Sequence, residues 1–420
     1  MIGRLIEKLM SKGRLTLVMP DGKRTSYGPG GGASLTVRVT NRITLFAFAR
    51  NPRLGLGEAY MDGRLIVEDG TILDLMRLVV GANRWEDKGK GRAAMNKGKG
   101  KWKALFRRNK AKASRRNVAH HYDIGNDLYR LFLDEDLQYS CAYFTDPANS
   151  LEQAQADKKA HIAAKLYLKP GQRVLDIGCG WGGTALYLNR VADVDVLGIT
   201  LSEEQLKVAR ARAEEAGVAD RVKFELIDYR EIEGRFDRIV SIGMFEHVGA
   251  AHYDEFFAAC RNLLAEDGVM LLHTIGKYGK ASAPDPFTDK WIFPGYHLPS
   301  ISQLAAASER QRLITSDLEL LRVHYAYTLR HWLERARANR DKIVALHDER
   351  FSGCGNFTCR AAWWRSRAGR CATSRRNISA TATRCRSRAI IWRRRKAGTG
   401  RARSSPSPQP RGQGGAGHFL

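Results

Sequence analysis

The stretch "VLDIGCGWGG", Val174 to Gly183, decides the fold. A short apolar run interrupted by Asp176 leads into Gly178, Gly180, Gly182 and Gly183. That order reads as a buried strand, a tight turn and the start of a helix. Working outward, further strand candidates follow at "VDVLGIT", "VKFELID", "FDRIVSIG" and "VMLLHTIG". Helical stretches lie between them, such as "SEEQLKVARARAEEAG", with Ser202 placed as N-cap and Gly217 at the C-cap. Strands alternating with helices predict an α/β fold with a mainly parallel, doubly wound sheet. Strand ends of such sheets are where ligands bind. "SIGMFEHVG", Ser241 to Gly249, places a carboxylate and an imidazole, Glu246 and His247, directly after one such strand.

Gly178-x-Gly180-x-x-Gly183 is formally the dinucleotide fingerprint. A nicotinamide dinucleotide would want an acid at the end of the next strand, to take the ribose hydroxyls. Asp193 and Asp195 instead fall before or at the start of that strand. Asp176, two residues ahead of the first glycine, makes the run resemble class I S-adenosylmethionine (SAM) methyltransferases, with a Rossmann-like sheet. The glycines let the backbone approach the ligand, while Asp176 orders the loop and can hold the amino acid end of the sulfonium.

The 420 residues are enough for two domains, and the longest apolar runs fall well short of a bilayer span. The chain is therefore expected to be cytoplasmic, and peripheral at the inner face of the cytoplasmic membrane. Its seven cysteines have no disulfide-like or metal-like spacing, so free thiols and no metal are expected. The net charge of +26 is uneven. Arg84 to Arg116 holds 14 Lys or Arg against two acids, and Ser352 to the C-terminus holds 15 Arg, one Lys and no acid. Blocks of this kind bind polyanions, an anionic membrane surface or nucleic acid, or else serve as solvated linkers. Residues 1–83 read as a small α+β domain, with "RLTLVMPDGKRTSYG" as strand, Asp-Gly turn, strand. Residues 84–116 form a basic linker, and 117–351 the methyltransferase domain.

Beyond the glycine loop, "HHYDIGNDLYRLFLDEDLQYSCAYF", "GITLSEEQ", "GMFEHVG", "LLHTIG", "DKWIFPGYHLPS" and "LRVHYAYTLRHW" resemble cyclopropane-fatty-acyl-phospholipid synthases and mycolic acid cyclopropane synthases. The resemblance implies methyl transfer from SAM to a cis double bond of a membrane phospholipid acyl chain, followed by ring closure. It implies a bound bicarbonate ion as base, held at Cys141, Glu246, His273, the Ile275 amide and Tyr325. For SAM it implicates Tyr139, Ser140, Gly178, Gly180, Thr200 and Gln205, with Asp228 and Tyr229 near the adenine. Taken singly, Cys141, His273 and Tyr325 would read as ordinary packing residues. Their arrival together in these motifs favours the site. Partners are then unsaturated phospholipids and an anionic membrane surface rather than nucleic acid. Oligomeric state stays open, a homodimer included.

After Phe351 the family pattern stops. "SGCGNFTCRAAWWRSRAGRCATSRR" has no acid, and its codons, read from the third base, are compatible with the family's Arg-Met-Trp-Glu-Phe-Tyr-Leu. A frame shift is inferred there, and residues 352–420 are expected to be an aberrant, disordered tail. The last strand of the sheet is expected to be missing. The rival to an active enzyme is a non-catalytic basic derivative that binds lipid or nucleic acid.

Overall fold

The computed structural model describes residues 13–80, 125–279, 283–367 and 371–379, with Gly3, Ile6 and Glu7. The basic linker 84–116 and the last residues, 380–420, lie outside the described residues.

The N-terminal unit runs β1 (Gly13–Val18), β2 (Arg24–Gly30), β3 (Ser34–Val39), α1 (Arg42–Arg50), α2 (Pro52–Met61), β4 (Leu65–Val67) and α3 (Ile72–Val80). The Asp-Gly turn forms as the sequence suggests: Gly22 adopts φ 79° and the Met19 N–H donates to the Lys23 carbonyl. The sheet order is β2-β1-β3-β4, with β1 and β3 parallel. Asn41 caps α1 and Asn51 caps α2, each side chain accepting from a backbone N–H of the first turn. Leu15, Val37, Ile72, Leu75 and Met76 form the core, which Phe287 and Cys354 from beyond the linker complete. A Cβ on Gly57 would lie 2.2 Å from the Phe287 ring, so α2 can sit this close only because it has no side chain there.

The larger unit begins with α4 (Asn126–Arg130) and α5 (Leu151–Leu166), followed by β5 (Arg173–Ile177), α6 (Gly183–Ala192), β6 (Asp195–Thr200), α7 (Glu203–Glu215) and β7 (Val222–Leu226). Next come β8 (Phe236–Ile242), α8 (Tyr253–Leu263), β9 (Leu264–Lys277), α9 (Pro286–Trp291), α10 (Ile301–Arg310) and β10 (Ile314–Leu320). The chain closes with α11 (Arg322–Ala338), α12 (Arg340–Leu346), α13 (Glu349–Arg367) and β11 (Cys371–Ser379). The seven-stranded sheet has the order β10-β11-β9-β8-β5-β6-β7. Strands β5 to β9 pair with one another in parallel, and β11 is antiparallel to both β9 and β10.

Side chains alternate between the two faces, and both are buried, which is why these strands read as nearly continuous apolar runs. Leu175, Ile239, Met270 and Leu272 pack with α8 and α10. Val174, Val196, Val240 and Leu271 pack with α5, α6 and α7. Ser202 caps α7 as expected, its side chain accepting from the Gln205 N–H. The helix ends at Ala216, and Gly217 follows with φ 66°. The order reverses at β5, where β6 lies on one side and β8 on the other. A ligand crevice belongs there.

The start of the tail, through Ser379, departs from expectation, while residues 380–420 lie outside the described residues. Residues 352–367 continue α13, and 371–379 form the antiparallel strand between β9 and β10, so the final strand is present. The reason lies in the main chain. Strands β9 and β10 both present backbone donors and acceptors to the slot between them, and any non-proline residue can pair with these. The abrupt change of composition at Ser352 therefore leaves the ladder in place. Cys354 is buried, in the core of the N-terminal unit.

Candidate active site

Every sequence-derived site residue from Asp176 to Ile275 falls at or near the C-terminal end of a parallel strand. Gly178 and Gly180 adopt φ values of 82° and 57°. The Gly178 and Cys179 N–H groups both donate to the Ile199 carbonyl, which bends the loop across the end of β6. A Cβ on Gly178 would lie 2.8 Å from Met244, whereas one on Gly180 would meet nothing within 4 Å. The first glycine lets the β5 and β8 loops touch, and the second leaves backbone facing open space.

Asp176 is buried, and its Oδ2 has no hydrogen-bond partner among the described residues. Burial raises its carboxyl to about 7, opposed by the nearby Lys158 ammonium. Lys158, on α5, is wholly buried and donates to Gln138 Oε1 at 2.6 Å and Ser140 Oγ at 2.8 Å. Gln155, one turn earlier, donates to the carbonyls of Gln138 and Ser140, both at 3.0 Å. Two side chains of one helix thus fix the segment carrying Tyr139, Ser140 and Cys141. At the end of β6, Thr200 Oγ1 donates to Gln205 Oε1 at 3.0 Å, with both residues buried. After β7, the Asp228 carboxylate is bound by Arg230, and the partly buried Tyr229 packs edge-on against Phe256.

Glu246 lies in a single helical turn after β8, at Phe245–His247. Its Oε1 accepts from the Ile275 N–H at 2.5 Å, while its buried Oε2 has no partner among the described residues. Burial pushes this carboxyl up to about 7, partly offset by the Ile275 amide. Burial drives His247 down to about 4, so the imidazole beside it is neutral. His273 pairs in register with Ile242, and its carbonyl accepts from the Gly243 N–H, which ties β9 to the Glu246 loop. The Cys141 thiol is buried. Its neighbour Ala142 donates its N–H to Thr328 Oγ1 at 3.0 Å, which docks α11, the helix of Tyr325, on this segment.

Aromatic rings wall the same region. Tyr139 stacks on Phe293 and leans on Trp332, and Trp332 meets Tyr325 edge-on. Glu246 and Ile275 are thus in direct contact. Cys141 and Tyr325 are joined through the Ala142–Thr328 bond, and a Cβ on Gly243 would sit 4.0 Å from Ser140, where the two halves meet.

Residues 109–358 match the family described as mycolic acid cyclopropane synthetase. The chain belongs to this family. A further match, over residues 4–84, is to a domain of unknown function. The cyclopropane-fatty-acyl-phospholipid synthase of Escherichia coli is 40% identical over 346 residues, spanning 78% of this chain and 83% of that protein. A Pseudomonas putida protein described as "Probable fatty acid methyltransferase" is 43% identical over 241 residues, but the match spans only 61% of its length. Among solved structures, a mycolic acid cyclopropane synthase complexed with SAH and CTAB superposes with a TM-score of 0.61 at 33% identity, covering 63% of this chain and 98% of that one. The chain is accordingly a SAM-dependent methyltransferase of the cyclopropane synthase type. The orphaned Asp176 oxygen and the open backbone at Gly180 fit that cofactor.

Lys158 and Gln155, which fix the segment of Tyr139, Ser140 and Cys141, are the residues that motif reading passes over. In "LEQAQADKKAHI" both lie on the face of α5 that carries Leu151, Ala154 and Ile162. A lysine on a buried helical face is the signal that could have found them.

Proposed function

We propose that the chain methylates the cis double bond of an unsaturated phospholipid acyl chain and closes it to a cyclopropane, with bicarbonate as base. Glu246 carries this reading: it is a buried carboxyl with one oxygen fixed by the Ile275 amide and the other unpartnered among the described residues. Asp176, Gly178, Gly180, Thr200 and Gln205, with Tyr139 and Ser140, would hold SAM, with Asp228 and Tyr229 near its adenine, and bound SAM would supply an electrophilic methyl group. A new carbon–carbon bond forms as the carbon–sulfur bond breaks, leaving positive charge on the acyl chain. The faces of Tyr139, Phe293, Trp332 and Tyr325 suit that charge. Bicarbonate held beside Glu246 would serve as the base that takes a proton from the added methyl, leaving the electron pair to close the ring.

The raised Glu246 pKa bears on how an anion is held. A carboxyl half-protonated near pH 7 can donate from Oε2 to bicarbonate, whereas a fully ionised one would repel it. Cys141, His273 and Tyr325 complete the anion's surroundings. Among the described residues no helix is long and apolar enough to cross a membrane, which suits an enzyme that meets its lipid from the surface. The test is incubation with SAM and vesicles of a cis-unsaturated phospholipid. The acyl chains should gain one methylene unit and lose their alkene protons. Lipid binding with no such product would instead favour the non-catalytic derivative.

A further inference from the structure

Helix α1 packs Phe48 against the N-terminal core but holds Ile43 and Phe46 out in water. Ile43 is 72% exposed and Phe46 71%, one helical turn apart, while Thr44 on the opposite side is buried. Arg50 follows on the same stripe, one turn beyond Phe46, and Arg42 flanks it; both are exposed. From Gly22 to Gly57 the chain carries six Lys or Arg and no Asp or Glu. Lys23 and Arg24 are exposed at the β1–β2 turn, which reaches α1 through the Asp21–Arg42 pair at 3.2 Å. A solvated helix face is ordinarily polar. Apolar side chains ringed by arginines are the pattern of a helix lying in a membrane interface.

The position suits the chemistry. Helix α1 packs on α2, where a Cβ on Gly55 would lie 2.8 Å from the Ala47 backbone. Helix α2 in turn rests on Phe287 and holds Lys290 and Trp291 through Glu58. The chain from there runs straight into Phe293, against Tyr139, and His297, whose N–H donates to the Glu246 carbonyl.

We propose that α1 docks the enzyme on an anionic phospholipid bilayer, with Ile43 and Phe46 entering the boundary between headgroups and acyl chains and the arginines among the phosphates. This rests on the reading above only in taking a bilayer lipid as substrate. The full chain is tested by cosedimentation with phosphatidylglycerol and with phosphatidylcholine vesicles. Binding should favour phosphatidylglycerol and weaken with salt. The double variant Ile43→Asp/Phe46→Asp should lose about 10-fold or more of that binding. Ile43→Leu/Phe46→Leu should keep it, with melting temperature and SAM affinity unchanged in both.

Undiminished vesicle binding by the aspartate variant overturns the proposal. So does a fall in its sedimentation mass, which would assign the face to a second copy, or a loss seen only on charge reversal in residues 84–116. Methyl transfer to detergent-dispersed lipid separates the two claims. If it is absent while α1-dependent binding persists, the enzymatic reading fails and the docking surface stands.

Discussion

At Glu246 the two carboxyl oxygens have different surroundings, one receiving the Ile275 amide and the other no partner among the described residues. Glutamine keeps the first contact and removes the titrating proton. The glutamine amide N–H can still donate where a protonated Oε2 would, whereas leucine removes both contacts. Glu246→Leu should therefore bind SAM normally by calorimetry, yet turn over about 100-fold more slowly or worse, with Glu246→Gln falling less. Stability supplies a second test. Glu246 and Asp176 both have folded pKa values of about 7, above their ordinary 4.5 and 3.8. Each binds its proton more tightly in the folded chain, so its contribution is fully present below the ordinary value and lost as pH rises through about 7. Between about pH 5 and 8 the cofactor-free glutamine variant should lose less stability than the parent, by on the order of 2 kcal/mol. Parallel denaturation curves at the two pH values, with equal losses, would count against a buried, protonatable Glu246.

Among the elements, β11 is the one expected to be missing and found in place. It pairs along its whole length with β9, from Cys371–Lys277 to Ser379–Val269, and with β10 on its other edge. A chain ending at Phe351 would leave β10 and one edge of β9 without a partner, and His273 lies on β9. It would also take Cys354 from the N-terminal core. Truncation there should lower the melting temperature by about 5 °C or more and reduce methyl transfer. Limited proteolysis should spare the chain through residue 379 for as long as it spares the sheet. Early cleavage near Phe351, with the melting temperature unmoved by truncation, would contradict the observed pairing.

On the scale of the whole molecule, the two units are joined more by packing than by charge. Glu58 pairs with Lys290, and Asp62 with Arg350, whose guanidinium also covers Trp291 at 4.4 Å. These pairs are partly exposed, and Glu58→Ala should cost less than about 1 kcal/mol. Phe287 is buried inside the core of the other unit, so Phe287→Ala should cost about 3–5 kcal/mol. Denaturant unfolding of the two variants checks the ranking. A larger effect from Glu58 would mean that charge sets the junction.

Local patterning in the sequence was enough to establish the parallel sheet, the glycine turn after β5, the cap at Ser202 and the Asp21–Gly22 hairpin. Strand alternation, turn chemistry and caps depend on residues a few positions apart, and these are visible in a single chain. Motif resemblance added Glu246 and Ile275 as members of one site. That the Ile275 amide bonds to the Glu246 carboxyl, that Lys158 lies beneath Asp176 and Ser140, and that Phe287 and Cys354 close the N-terminal core were decided by the tertiary structure. So was the strand at 371–379, whose composition argued against it while two waiting backbone edges argued for it. Such partners are distant in sequence and are selected by packing and by the need to satisfy buried polar groups, neither of which leaves a periodic trace along the chain.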